Sequence, residues 1–152
     1  RKLLGAVANP FASWLVLRGL RTLAPRLDWH QRNATAVAQF LQGHARVSAV
    51  HYPGLDSHPQ RATALAEMRG PGGMLSFEVA GTRARAIEVA SRLRLFINAT
   101  SLGGYESLVE HRQSVEGPTS PTPETLLRLS VGLEHAEDLI ADLDQALAWG
   151  AP

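Results

Sequence analysis

Four short runs of strand-like composition, separated by longer segments of helical periodicity, constrain the fold of this chain more than any other feature. The runs are VSAVHY, MLSFEV, LRLFINA and LLRLSV, at residues 47–52, 74–79, 93–99 and 126–131. Because the runs are half polar rather than fully apolar, they are typical of a sheet with one solvated face. The sequence therefore predicts an α+β fold with a mainly antiparallel four-stranded sheet covered by helices.

The N-terminal part of the chain is predicted to be helical. Asn9 is a helix cap followed by proline at the first helical position, and apolar residues then recur at helical spacing as far as Gln42. Pro25 falls inside this pattern, and we expect it to kink or divide the helix. The prediction is a long connecting helix region over residues 1–43, followed by a small α+β domain over residues 44–152. Further helices are predicted over residues 58–68, 82–93 and 136–149.

Composition narrows the class of function. The net charge of +1, with basic residues spread along the chain, argues against a nucleic-acid partner. No apolar run reaches the ~18 residues of a membrane helix, so no membrane span is expected. The chain has no cysteine, which excludes thiol catalysis within it and fits a reducing cytoplasm. Its six histidines show no metal-ligand spacing, so no metal site is predicted.

Arg128 stands in the middle of the LLRLSV run. Successive side chains of a strand point to opposite faces, so Leu127, Leu129 and Val131 share one face and Arg128 lies on the other with Ser130. Half of the residues of such a strand are polar as a matter of course, and a surface arginine satisfies the pattern. A guanidinium is also the side chain best shaped to bind a carboxylate through two parallel hydrogen bonds. The alternation leaves both interpretations open.

The segment ATSLGGYESL, residues 99–108, follows the third predicted strand. Its two adjacent glycines let the backbone reach positive φ or let a ligand approach the amide groups. The hydroxyl of Ser101 could then donate a hydrogen bond to a ligand, although a plain turn explains the motif as well. If the third and fourth predicted strands lie together, Ser101 and Gly103 are the expected partners of Arg128 in a ligand site.

Five blocks of the sequence follow one another in a familiar order. They are NPFASWLVLRGLRTLAPRLDWHQRNATAVAQFL, VHYPGLDSHPQ, GGMLSFEVAG, LFINATSLGGYESLVEH and LLRLSVGLEHAEDLIADLDQAL. Together they resemble the C-terminal part of the Cys/Met-metabolism pyridoxal-phosphate enzymes, the family of the cystathionine synthases and lyases and of methionine γ-lyase. The resemblance covers essentially the whole chain, and it implies the small C-terminal domain of a fold-type I pyridoxal-phosphate enzyme.

The resemblance also implies roles for individual residues. The arginine of the RLSVG block binds the α-carboxylate of the amino-acid substrate, which places that role on Arg128. The serine of the SLGG block lines the substrate pocket, which places Ser101 there, with Leu102 and Thr100 beside it. Family members that act on cystathionine commonly carry glutamate at the position of Thr100, so the resemblance leaves open which sulfur-containing L-amino acid is the substrate.

Pyridoxal 5'-phosphate is the cofactor that the resemblance implies, bound as a Schiff base to a lysine of a larger domain that precedes this one. Lys2 is the only lysine of the chain, and its RKLLG context does not resemble the cofactor-binding segment. We therefore expect no catalytic and no cofactor-binding residue in this chain, and no activity without the large domain. The segment RQSVEGPTSPTPE, residues 112–124, is shorter than its counterpart in many members, so the rim of the pocket is expected to differ.

The function implied is that of the substrate-binding domain in a lyase or transferase of sulfur amino-acid metabolism, acting by transsulfuration, β- or γ-elimination, or γ-replacement. The resemblance further implies a cytoplasmic homotetramer as the parent enzyme. Two alternatives remain at this point. One is a free-standing α+β module that binds amino acids and regulates another protein, and the other is a domain retained for oligomer contacts.

Overall fold

The computed structural model describes residues 5, 7–100, 102–148 and 150, and within them the chain forms a mixed sheet of five strands and six helices. The strands are β1 Val47–His51, β2 Met74–Val79, β3 Ile97–Asn98, β4 Leu108–His111 and β5 Leu126–Ser130. The helices are α1 Pro10–Leu20, α2 Leu23–Gly43, α3 Arg61–Glu67, α4 Arg83–Arg92, α5 Arg112–Glu116 and α6 Ala136–Ala148. The predicted α+β class is confirmed.

The order of strands across the sheet is β1-β2-β5-β4-β3. The pairs β1–β2, β2–β5 and β5–β4 are antiparallel, whereas β3 runs parallel to β4. β5, which carries Arg128, therefore lies at the centre of the sheet between β2 and β4. In this register Arg128 faces Ser76 on one neighbour and Glu110 on the other.

The prediction of four strands is wrong because it misses β4. All four residues of β4 are buried, so the strand shows no apolar–polar alternation, and its last two residues are the polar pair Glu110 and His111. The strand predicted over residues 93–99 is shortened to Ile97–Asn98. Residues 94–96 form a bend instead, and their backbone N–H groups donate to the carboxylate of Asp142.

The N-terminal helix region is divided, as expected, but at Arg21 and Thr22 rather than at Pro25, so α1 and α2 are two helices and not one long helix. The break precedes Pro25, which lies in the first turn of α2. There the missing N–H of proline costs nothing, since the first N–H groups of a helix have no partner within it. The predicted start of α1 is confirmed, because the Asn9 side chain accepts a hydrogen bond of 2.8 Å from the backbone N–H of Ala12.

One hydrophobic core joins α2, α4 and α6 to a single face of the sheet. The strand residues on this face alternate as the sequence predicts, and Phe77, Leu127 and Leu129 are fully buried there. The helices contribute side chains at helical spacing, including Leu139 and Leu143 of α6. The opposite face of the sheet is left for Arg128 and its neighbours. Among the described residues, no helix combines the length and the apolar character needed to cross a bilayer.

The end of β5 is fixed by polar contacts to α2 and to the start of β4. The Asn33 side chain donates to the carbonyl oxygens of Gly132 and Glu134, at 3.0 and 2.7 Å. The Glu134 carboxylate in turn accepts from the backbone N–H and the hydroxyl of Ser107. Any side chain at position 132 would lie only 2.4 Å from the carbonyl oxygen of Tyr105, so glycine is required there. This bracing holds the polypeptide rigid immediately after Arg128.

Candidate functional site

Arg128 lies on the face of β5 that points away from the core. Its strand neighbours Leu127 and Leu129 are fully buried on the other face, whereas the Arg128 side chain is 26% exposed. The predicted distribution of side chains between the two faces is therefore what the structure has. The position suits a charged group because the aliphatic stem of the arginine can lie against the sheet while its guanidinium stays at the surface.

Glu110 is the cross-strand partner of Arg128. Its side chain is only 4% exposed, and its Oε1 atom accepts hydrogen bonds from Arg128 Nη1 at 2.9 Å and from Arg112 Nη1 at 2.7 Å. The second carboxylate oxygen accepts from the hydroxyl of Thr100. A buried carboxylate requires such donors, since an unpaired buried charge is strongly destabilising. Three donors from three separate segments therefore meet at this one acid.

The partners of Glu110 determine its charge. Burial raises the pKa of this carboxyl, but the hydrogen bonds from Thr100, Arg128 and Arg112 outweigh burial and hold the pKa below its ordinary value. Glu110 is thus ionised at neutral pH. It forms the centre of a small network in which one carboxylate is shared between two guanidinium groups.

Arg112 extends this network to the proline-rich loop that follows α5. Its Nε atom donates to Glu116 Oε1 at 2.6 Å, the i,i+4 spacing of a helical ion pair. The other oxygen of Glu116 accepts from the hydroxyls of Ser120 and Thr122. These two hydroxyls, followed by Arg112, lower the pKa of Glu116 to about 2. A chain of polar contacts consequently runs from the loop to Arg128.

The four residues predicted to line a substrate site are placed differently. Arg128 and Thr100 meet at Glu110. Leu102 is 76% exposed, so this surface of the chain does not cover it. Ser101 lies outside the described residues. The third and fourth predicted strands do not lie together, because β4 separates β3 from β5. Gly103, at φ +72°, nevertheless contacts β5, because its backbone N–H donates to the hydroxyl of Ser130 at 3.2 Å.

Beside the guanidinium of Arg128 the surface has a shallow crevice with no room for a water molecule. The crevice does not enclose a ligand by itself, so a carboxylate that binds Arg128 would lie against this surface of the chain. The crevice is lined by Met74, Ala99, Leu108, Glu110, Arg128 and Ser130.

Sequence reasoning misses Glu110, Arg112 and Glu116. Their signal is present in the run VEHRQSVE, where an acid precedes an arginine by two residues and another acid follows it by four. The i,i+4 pair can be recognised from this spacing. The contact between Glu110 and Arg128 cannot be recognised from sequence spacing, because strand register brings together residues that are 18 positions apart.

The described residues lack the Schiff-base lysine of the cofactor that the resemblance implies. They contain no lysine, since Lys2 lies outside them, and so they supply no amine for a Schiff base. They also contain no cluster of histidine and acidic side chains that could hold a metal ion. What the site can do is bind a carboxylate through Arg128, with Glu110 fixing the guanidinium.

Comparison with known proteins places the chain among enzymes. The model of the "Cys/Met metabolism PLP-dependent enzyme" family matches residues 1–148. Cystathionine gamma-synthase of Mycobacterium tuberculosis H37Rv is 48% identical over 148 residues, which cover 94% of this chain and 38% of that protein. L-methionine gamma-lyase of Pseudomonas deceptionensis is 44% identical over 155 residues, covering 97% of this chain and 39% of that protein.

The comparison with solved structures points to the same family. Cystathionine gamma synthase from Xanthomonas oryzae pv. oryzae, crystallised in complex with cystathionine, superposes with a TM-score of 0.88 at 44% identity, covering 96% of this chain and 40% of that one. The chain thus spans about two fifths of the length of the relatives that it matches. With the family model matching nearly every residue, the resemblance seen in the sequence is confirmed: the chain belongs to the Cys/Met metabolism PLP-dependent enzyme family.

Proposed function

We propose that this chain is the substrate-carboxylate-binding domain of a pyridoxal-phosphate-dependent lyase or transferase of sulfur amino-acid metabolism. The observation that carries the proposal is the placement of Arg128, whose guanidinium stands on the non-core face of the sheet and is oriented by Glu110. The relatives named above are a synthase that makes cystathionine and a lyase that acts on methionine, which supports a sulfur-containing L-amino acid as substrate.

Arg128 has the chemistry that the role requires. Its guanidinium carries five N–H donors in a planar fork and stays charged at all relevant pH values, so it can serve the substrate carboxylate as well as Glu110. In the proposal Ser101 and Leu102 line the amino-acid site from the glycine segment. Thr100 borders the same site, although its hydroxyl is engaged with Glu110.

The rest of the active site belongs, in this proposal, to a large domain that binds the cofactor. Bound pyridoxal phosphate supplies an electron sink for deprotonation of the amino acid. Residues 1–43 would connect that domain to the α+β domain of residues 44–152, which would be inactive alone. α1 supports this arrangement because it buries none of its residues. Its exposed large apolar side chains are Phe11, Trp14, Leu15, Val16, Leu17 and Leu20.

An apolar helix face of this size calls for a covering partner. In the proposal, the large domain and the neighbouring subunits of a cytoplasmic homotetramer cover these apolar side chains. The same observation favours a second candidate function, in which the domain serves only for oligomer contacts and Arg128 has no part in substrate binding.

The test uses the complete polypeptide that carries this chain, loaded with pyridoxal phosphate and assayed with L-cystathionine and L-methionine. Arg128→Ala is expected to lower kcat/KM by about 100-fold or more, because a charge-assisted bidentate contact to the substrate is lost. Arg46→Ala removes an exposed arginine before β1 and serves as the matched control, with kcat/KM within about twofold of wild type.

The proposal fails if Arg128→Ala and Arg46→Ala give the same kcat/KM. In that case a Trp14→Glu variant decides whether the assembly function stands. Loss of the oligomer in sedimentation experiments would then favour a domain that serves for contacts alone.

A further inference from the structure

Arg128 belongs to a network of charged side chains that is larger than a carboxylate-binding arginine requires. Glu110 and Glu116 alternate with Arg112 and Arg128 in a chain of ion pairs, with N–O distances of 2.6, 2.7 and 2.9 Å from the loop end to Arg128. Two acids and two arginines leave this chain of four without net charge. An ion-pair chain with short contacts at each step restricts all of its members at once.

Glu110 restricts Arg128 directly. A long arginine side chain samples many rotamers when nothing holds it. Here Nη1 is bound to a carboxylate that is itself 4% exposed and held by the Thr100 hydroxyl, so the acid cannot follow the arginine into solvent. The guanidinium is thereby held in one orientation on the non-core face of the sheet before any ligand arrives, which lowers the entropy cost of binding.

Arg112 has a second effect, which is electrostatic. It donates to the same Oε1 atom that Arg128 contacts, so the negative charge of Glu110 is shared between two guanidinium groups. A carboxylate committed to Arg128 alone would cancel most of the attraction of that arginine for a second carboxylate. Sharing preserves that attraction while keeping the orienting hydrogen bond.

Glu116 ties this arrangement to the loop of residues 117–122. Its carboxylate binds Arg112 with one oxygen and the hydroxyls of Ser120 and Thr122 with the other. The conformation of the loop and the position of Arg112 are thus coupled, and this loop lies in the segment where the chain departs from many family members.

We infer that Glu110, Arg112 and Glu116 are positioning residues that fix the Arg128 guanidinium for the substrate α-carboxylate, and that the loop of residues 117–122 acts on carboxylate affinity through them. The inference rests on the proposed role of Arg128. It assigns Thr100 to the same positioning set, because its hydroxyl binds Glu110.

The experiment measures substrate KM and kcat, together with the Kd of L-norleucine and of L-norleucinamide by calorimetry, on the complete polypeptide with cofactor bound. Norleucine has no sulfur to eliminate, and its amide lacks the carboxylate charge, so their ratio of affinities reports carboxylate recognition. The variants are Glu110→Ala, Glu110→Gln, Glu116→Gln, Arg128→Ala and the double variant Glu110→Ala/Arg128→Ala. Glu67→Gln, an exposed acid at the end of α3, is the control.

Glu110→Ala is expected to raise KM about tenfold with kcat within about twofold of wild type, and to lower the preference for norleucine over its amide by a similar factor. Glu110→Gln keeps an acceptor oxygen for Arg128 and is expected to recover most of this loss. Glu116 contacts Arg112 and acts on Arg128 only through it, so Glu116→Gln is expected to raise KM about twofold to threefold. In the Arg128→Ala background, Glu110→Ala is expected to change neither KM nor the affinity ratio further.

Separate outcomes overturn separate claims. If Arg128→Ala lowers carboxylate preference but Glu110→Ala and Glu110→Gln leave it unchanged, the positioning inference is wrong and the proposed function stands. The same holds if the effects of Glu110→Ala and Arg128→Ala multiply in the double variant. If Arg128→Ala itself leaves carboxylate preference unchanged, both the proposed function and the inference fall. Should Glu110→Ala not fold, Glu116→Gln measured against Glu67→Gln carries the test, and equal KM values and carboxylate preferences in these two variants would contradict the inference.

Discussion

Asp142 in α6 and Glu110 in β4 are both buried acids, 6% and 3% exposed, but they are bound by different kinds of partner. The Asp142 carboxylate accepts mainly from backbone N–H groups, those of residues 94, 95 and 96 at distances from 2.8 to 3.4 Å, and also from the Gln145 side chain at 3.1 Å. Glu110 accepts only from side chains among its described contacts, those of Thr100, Arg112 and Arg128.

The difference separates a structural acid from one that can serve a site. Backbone N–H groups are fixed by the fold, so Asp142 joins α6 rigidly to the bend before β3. A guanidinium carries five N–H donors, so an arginine that is held by Glu110 can bind a ligand as well. Burial alone therefore does not distinguish the two carboxylates, whereas the nature of the donors does.

The largest expected effect on stability comes from removing the structural acid. Asp142→Ala leaves the amides of residues 94–96 without their acceptor, and we expect it to lower the free energy of unfolding by about 2–3 kcal/mol. Asp142→Asn keeps one acceptor oxygen and is expected to cost about half as much. Urea denaturation of the chain measures both. A loss below that of Glu110→Ala would contradict the assignment of Asp142 as the structural acid.

Glu110→Ala is expected to cost less, about 1 kcal/mol in the free energy of unfolding. The two arginine partners are 26% and 31% exposed, so water can replace the lost carboxylate around them. The same urea series provides the measurement. A cost as large as that of Asp142→Ala would mean that Glu110 is structural and would weaken the comparison.

The pH dependence of stability sharpens the contrast further. Because the pKa of Glu110 is lower in the folded chain than its ordinary value, the folded state binds its proton less readily than the unfolded state. The stabilisation by ionised Glu110 is then fully present above about pH 4.5 and is lost as the pH falls through the lowered folded pKa. We expect the stability difference between wild type and Glu110→Gln to shrink below about pH 4.5. A difference that grows on acidification would contradict this assignment.

The smallest effect on stability is expected for Glu116→Gln, whose side chain lies at the surface. Its folded pKa of about 2 places the loss of its contribution between about pH 4.5 and pH 2, again on acidification. The clearer measurement is limited proteolysis at neutral pH. Glutamine has one acceptor oxygen where Glu116 uses two, so the contacts to Arg112 and to the hydroxyls of Ser120 and Thr122 can no longer both form. Cleavage in the loop of residues 117–122 should become faster in Glu116→Gln, and in Glu67→Gln it should not. Equal cleavage rates would show that Glu116 does not hold the loop.

Much of the fold can be predicted from the sequence by periodicity. Three strands, β1, β2 and β5, and the helices α3, α4 and α6 lie where alternation or helical spacing places them. Of these elements, β2, β5, α4 and α6 bury one face and expose the other, which is the condition under which periodicity is informative, whereas β1 and α3 contain no fully buried residue. Periodicity does not reveal β4 because this strand is buried on both faces. Most of the third predicted strand is a bend, because Asp142, more than 40 residues later, accepts hydrogen bonds from its backbone N–H groups.

The candidate site likewise has one part that can be predicted from the sequence and one part that cannot. The face on which Arg128 lies follows from strand geometry, and the family follows from five ordered blocks of sequence. The roles of Arg128, Ser101, Leu102 and Thr100 in binding substrate stay predictions. Local sequence determined which side chains point away from the core, because side-chain direction in a strand depends only on its period of two. Tertiary structure alone decided that Glu110 meets Arg128, because strand register pairs residues far apart in the chain and a buried carboxylate is stable only where such partners converge.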